Sequence, residues 1–120
     1  MWRPRHAESE ERASAKNAAA DLETLHALEK AGADLSKPTD IEFYLYFQTQ
    51  EAAERARDTA QMPGFSAVAK QAGKGKSWLC LLSGRMAPTE DEIRAASALL
   101  QELADSLGGE YDGWEAKVTR

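Results

Sequence analysis

Apolar and polar residues change period several times along this chain, and each change marks an element. Ala18, Leu22, Leu25 and Leu28 recur at helical spacing, giving one narrow apolar stripe. They predict a leading helix over about residues 17–31, which Gly32 is placed to end. Residues 1–16 are polar and charged and are expected to form a flexible tail, with the domain proper at 17–120. Asp34 to Asp40, with Pro38, reads as a turn. The period then shortens to two: Ile41, Phe43, Leu45 and Phe47 alternate with Glu42, Tyr44 and Tyr46, the signature of a strand. Thr49 is a good N-cap for a second helix reaching about Gln61, whose Ala53, Ala56 and Ala60 form a face small enough to sit close to a sheet. Pro63-Gly64 stops it.

Phe65–Ala72 and Lys76–Ser83 read as two further strands joined by a hairpin connection at Gly73-Lys74-Gly75. Thr89 and Glu92, just after Pro88, make a capping box. They open a helix whose apolar face is Ile93, Ala96, Leu99, Leu100, Leu103 and Leu107, ended by Gly108-Gly109. The closing segment, Glu110 to Val118, contains Glu110-Tyr111-Asp112-Gly113-Trp114. Asp-Gly between aromatics favours a tight hairpin by local rule. The count of elements overrides that rule. A leading helix followed by β-α-β-β-α-β is the split βαβ, ferredoxin-like arrangement, an α+β fold with a four-stranded antiparallel sheet and an extra N-terminal helix. Its first strand needs a last strand beside it, and only 110–118 is left to supply one. Asp112-Gly113 is therefore expected to lie within or bulge that strand.

With two helices on one face, Ile41, Phe43, Leu45, Phe47, Leu79 and Leu81 are expected to point at them. Tyr44, Tyr46, Trp78, Cys80 and Leu82 then fall on the opposite face, joined by Tyr111 or Trp114 according to the bulge. That is much apolar surface to leave in water. Three readings compete, in descending order: the leading helix folds across this face with Leu22, Leu25 and Leu28; the face is a protein interface; or its aromatics stack on single-stranded RNA. Lys70, Lys74, Lys76 and Arg85 favour the last. An acidic chain and the lack of the Lys/Arg-Gly-Phe/Tyr-Gly/Ala-Phe pattern oppose it.

Composition narrows the function. The 120 residues hold 15 basic and 20 acidic side chains, a net charge of -5, which disfavours broad nucleic-acid or anionic-membrane binding. One cysteine, Cys80, leaves no internal disulfide and points to a reducing compartment. No apolar run approaches the roughly 20 residues of a membrane span, and the N-terminus has no signal-like apolar core, so a cytoplasmic protein is expected. Gly75-Lys76-Ser77 resembles the end of a phosphate-binding loop. Position 70 is Lys70 where that motif needs glycine, and a strand follows where it needs a helix. Cys80 sits among Trp78, Leu79, Leu81 and Leu82, the setting of a buried thiol rather than a nucleophile. His6 and His26 have no second ligand at metal spacing. Glu90, Asp91 and Glu92 occupy a first helical turn, where acids complement the macrodipole. No nucleophile, base and orienter assemble. The expectation is no enzyme, no cofactor and no metal.

The closing Glu110-Tyr111-Asp112-Gly113-Trp114 after an amphipathic helix, the Gly32-Ala33-Asp34 turn after a leading helix, and the Cys-bearing strand at Trp78–Leu82 resemble the ribonuclease E inhibitor RraB family (regulator of ribonuclease activity B). The resemblance spans residues 18–118. It implies a ferredoxin-like fold and a non-catalytic regulator that binds a protein partner, ribonuclease E or another degradosome component, and so modulates RNA degradation. This chain is more mildly acidic than the resemblance implies and carries a basic turn at Gly73–Lys76. The candidate binding residues are Tyr44, Tyr46, Trp78, Tyr111, Asp112 and Trp114. A single-stranded RNA-binding module using the aromatic sheet face is the alternative.

Overall fold

The structure is a computed structural model that describes the backbone of residues 5–73 and 77–120, and the side chains of 15–73 and 77–120. Its elements are α1 (Arg5–Lys30), β1 (Thr39–Phe47), α2 (Gln50–Thr59), β2 (Phe65–Gln71), β3 (Trp78–Met86), α3 (Glu90–Ser106) and β4 (Glu110–Ala116). The four strands form one antiparallel sheet in the order β2-β3-β1-β4. This is the α+β split βαβ layout the pattern predicts, and the closing segment is its last strand. Of the hairpin connection, Lys74 and Gly75 lie outside the described residues.

Local chemistry explains the element ends. Thr49 accepts a hydrogen bond from the Ala52 N–H, and Thr89 accepts one from the Glu92 N–H, so both helices open on side-chain caps. Glu92 does not complete the box, because the Thr89 N–H goes to the Ala87 carbonyl. At the far end of α3 the Gly109 N–H closes on the Ala104 carbonyl at 2.8 Å, a Schellman closure. Helix α1 begins at Arg5 rather than near residue 17. The Glu-, Arg-, Ala- and Lys-rich stretch ahead of the apolar stripe is strong in helix formers, so helix continues where an apolar stripe does not.

The core lies between the sheet and its helices. Ile41, Phe43, Leu45 and Phe47 are at most 2% exposed, each burial worth about 1.5–3 kcal/mol. Ala53 and Ala56 of α2 have no exposed surface, which lets that helix approach closely. Phe65 closes one end with its ring 5.7 Å from that of Phe43.

Register overturns the expected allotment of β3. Residues directly opposite in an antiparallel pair share a face. Phe43 lies opposite Leu82, Leu45 opposite Cys80, and Phe47 opposite Trp78. Cys80 and Leu82 therefore belong to the core, with Trp78 packed half-buried against it. Tyr44 lies opposite Leu81 and Tyr46 opposite Leu79, so these two leucines, not Trp78, Cys80 and Leu82, join the tyrosines on the other face. Trp78–Leu82 is apolar in both phases, and alternation alone has no means of choosing between them.

The leading helix is also placed differently from the preferred expectation. It packs on α3 and β4, on the core side, and leaves the second sheet face uncovered. Its buried line is Asp21, Leu25 and Leu28, while Leu22 is exposed. Leu99 of α3, expected in the core, is exposed as well.

The bulge in β4 is real. Pairing with β1 shifts between Phe43, opposite Trp114, and Leu45, opposite Tyr111. Gly113 takes up the extra residue with φ +95°. A Cβ there meets nothing within 4 Å, so backbone strain alone sets the cost of a side chain. Gly113→Ala is expected to lower the unfolding free energy by about 1–3 kcal/mol in urea denaturation. A variant as stable as the parent would contradict the left-handed conformation.

Candidate functional site

The bulge decides which aromatics are free. Tyr111 and Trp114 are three residues apart, a spacing that in a regular strand puts them on opposite faces. One extra residue restores the phase, and both turn toward the helices. Trp114 is buried and donates its indole N–H to Asp21 Oδ1 of α1 at 2.9 Å. Tyr111 reaches α3, its hydroxyl 2.9 Å from Ser97 Oγ. Burial holds the Tyr111 phenol well above its ordinary pKa, opposed by the Ser97 bond and aided to a lesser degree by the Asp21 carboxylate. These two aromatics anchor helices. Asp112 lies exposed at the bulge between them. A cleft of about 280 Å³ between α1 and α3 is lined by Asn17, Asp21, Ser97 and Gln101 among others, and so includes the helix partners of both anchors. It is spanned by the Asn17 amide donating to Gln101 Oε1 at 2.9 Å.

Of the six candidate residues, the structure brings Tyr44 and Tyr46 together on the uncovered sheet face and places Trp78, Tyr111 and Trp114 behind the sheet. The uncovered face gains residues that pattern reading assigned to the core or passed over. Leu81 lies beside the tyrosines, followed by Val68 of β2, opposite Leu81 and 47% exposed, while Leu79 shares this face but is itself buried. The result is a strip of tyrosine, leucine and valine running across β1, β3 and β2.

The β4 side of this face is acidic. Glu42 and Glu115 lie directly opposite each other on β1 and β4, an arrangement that costs stability when both are ionised. The Tyr44 hydroxyl lies 3.4 Å from Glu42 Oε1 and 3.3 Å from Glu115 Oε2, and its single proton serves one at a time. Ser83 Oγ donates to Glu42 Oε2 at 3.3 Å. Partial burial, then the charges of Glu115 and Glu42, push the Tyr44 pKa up to about 12. Beyond them Asp40 sits 3.9 Å from Arg85 and 3.6 Å from Lys117. These exposed ion pairs contribute little to stability. The end of the face is a shallow depression of about 600 Å³ bordered by Glu42, Ser83, Arg85, Glu115 and Lys117.

Cys80 is fully buried, and desolvation pushes its thiol up to about 11, far from a reactive thiolate. Among the described residues no group of three or more His, Cys, Asp or Glu side chains is arranged to hold a metal ion. No helix among them is long and apolar enough to cross a membrane.

A family model described as Regulator of ribonuclease activity B matches residues 9–116. The chain belongs to this family. No curated protein matches it. Membership in the regulator of ribonuclease activity B family makes the protein a regulator of ribonuclease activity, and it accounts for the sheet, the helices and most of α1 as one matched unit. Asp21 and Ser97, the helix partners of Trp114 and Tyr111, were missed by pattern reading. A signal existed for Asp21, which stands four and seven residues before Leu25 and Leu28, in the apolar phase of the helix.

Two outcomes follow from this geometry. Trp114→Phe leaves the buried Asp21 carboxylate without its donor and is expected to cost about 1–3 kcal/mol. Adding Asp21→Leu should recover part of that loss, and a double-mutant cycle by urea denaturation measures the coupling. Strictly additive losses would refute the anchor. For Tyr44, the folded-state pKa is raised above the ordinary 10.0, so its contribution to stability is complete below pH 10 and is lost as pH rises toward about 12. The ultraviolet phenolate titration of Tyr44→Phe, subtracted from that of the parent, should show one group with its midpoint near 12.

Proposed function

We propose that the protein regulates a ribonuclease without chemistry of its own, by binding a protein partner through the uncovered sheet face. The partner is ribonuclease E or another degradosome component, met in the cytoplasm. The observation that carries this reading is the strip of Tyr44, Tyr46, Leu81 and Val68, which no helix among the described residues covers. Aromatic and aliphatic side chains framed by charged ones are the usual make-up of a protein-binding patch. The family supplies the pathway, and the face supplies a surface with which to act on it.

The single-stranded RNA alternative draws less support from the same face. Trp78, one of its three stacking aromatics, is packed toward the helices. Tyr44 stands between Glu42 and Glu115, whose charges repel a phosphate backbone.

Cleavage of RNA by purified ribonuclease E, titrated with this protein, tests the proposal. The parent should slow or redirect cleavage. Tyr46→Ala and Leu81→Asp should each raise the effective concentration by about tenfold or more. Leu99→Asp, exposed on α3, should leave it unchanged. No effect of the parent on cleavage, or equal loss in the Leu99→Asp control, would sink the proposal.

A further inference from the structure

The sheet ends on two edge strands, and the chain treats them differently. β4 carries the bulge at Gly113 and three acids, Glu110, Asp112 and Glu115, within seven residues. Bulges and charges are the devices that keep a sheet edge from pairing with another strand. β2 has neither defence in full. It holds one charge, Lys70, no proline, and an unbroken register with β3 from Phe65 to Gln71.

Hydrogen-bond parity shows what β2 presents. The Ala72 N–H donates to the Ser77 carbonyl at 3.0 Å, and this pair continues the β2–β3 register past Gln71 and Trp78. Antiparallel residues alternate between exchanging both backbone bonds with the neighbour and turning both groups away. Lys70, Val68 and Ser66 are then bonded to β3, and Ala67, Ala69 and Gln71 turn their N–H and C=O groups outward. Among the described residues no strand lies on that side.

We propose that β2 is a self-pairing edge, joining two copies of this chain antiparallel about a two-fold axis at Val68. The occupant follows from how the edge reads against itself. With Val68 opposite the second copy's Val68, Ala67 meets Ala69, and both present outward backbone groups, so the ladder bonds form in phase. Ser66 meets Lys70, which keeps the two ammonium groups apart, and Phe65 meets Gln71. All seven residues align, with only the Phe65 N–H already donated within the chain, to the Met62 carbonyl; no like charges stand opposite, and the central contact is between side chains 47% exposed in the single chain. Because Val68 also ends the apolar strip, such a dimer joins two uncovered faces into one continuous eight-stranded surface. The arrangement is isologous and closed.

Sedimentation equilibrium across concentrations from micromolar to several hundred micromolar tests this. The parent should rise from 13.2 kDa toward twice that mass. Val68→Asp, which sets two carboxylates against each other at the axis, should raise the midpoint concentration by about tenfold or more. Circular dichroism confirms that this exposed-site variant folds. Tyr46→Ala should leave the midpoint unchanged, which separates self-pairing from ribonuclease regulation. Amide hydrogen exchange gives a second readout, in which the Ala67, Ala69 and Gln71 amides become protected as concentration rises. A parent of 13.2 kDa throughout, a Val68→Asp dimer as strong as the parent's, or association without protection of those three amides would each overturn the proposal.

Discussion

The hydrogen bond from the Trp114 indole to the Asp21 carboxylate is the contact on which the arrangement of this molecule turns. It ties the last strand to the first helix across 93 residues of sequence and is itself buried. Both ends depend on a third feature, the extra residue at Gly113, which puts Trp114 and Tyr111 in the same phase. One aromatic takes hold of α1 and the other of α3. An indole N–H offers one donor in a fixed direction, so it orients the helix more sharply than apolar packing does. Helix α1 is thereby held on the core side of the sheet, and the opposite face is left open.

That consequence connects the core to the proposed role. A split βαβ sheet has two faces, and its own two helices cover only one. A leading helix is the natural cover for the other, yet here it is recruited behind the sheet. The uncovered face keeps tyrosine, leucine and valine at its centre and sets Glu42 against Glu115 at its margin. A pair of opposed carboxylates does not serve the stability of the strands that carry it. Departures from local stability are where functional surfaces are commonly found.

The elements were legible because each had its own chemistry. Thr49 and Thr89 announce helices by their capping hydroxyls, and β1 announces itself by strict alternation. The closing strand was legible only by counting, since Asp112-Gly113 argues locally for a hairpin. The candidate site was half legible. Tyr44 and Tyr46 follow from the alternation of β1, where Glu42 is polar and Ile41 and Phe43 are not. Trp78 did not follow, because the β3 run is apolar at every position and its phase is set by pairing with β1. The start of α1 was hidden for a related reason: it has no apolar stripe, and helix there rests on intrinsic preference.

By itself the sequence determined the order of elements, the fold class and the family, all of which reside in short-range patterns and in the Tyr-Asp-Gly-Trp run. It also placed Asp112-Gly113 within, or bulging, a strand the fold requires, and the register with β1 decided for the bulge. Only the tertiary structure decided which face each aromatic serves and which side of the sheet α1 covers. The physical reason is parity. In a strand a shift of one residue exchanges the two faces completely. The shift is set by a neighbour far away in sequence, here by Phe43 against Leu82 and Trp114.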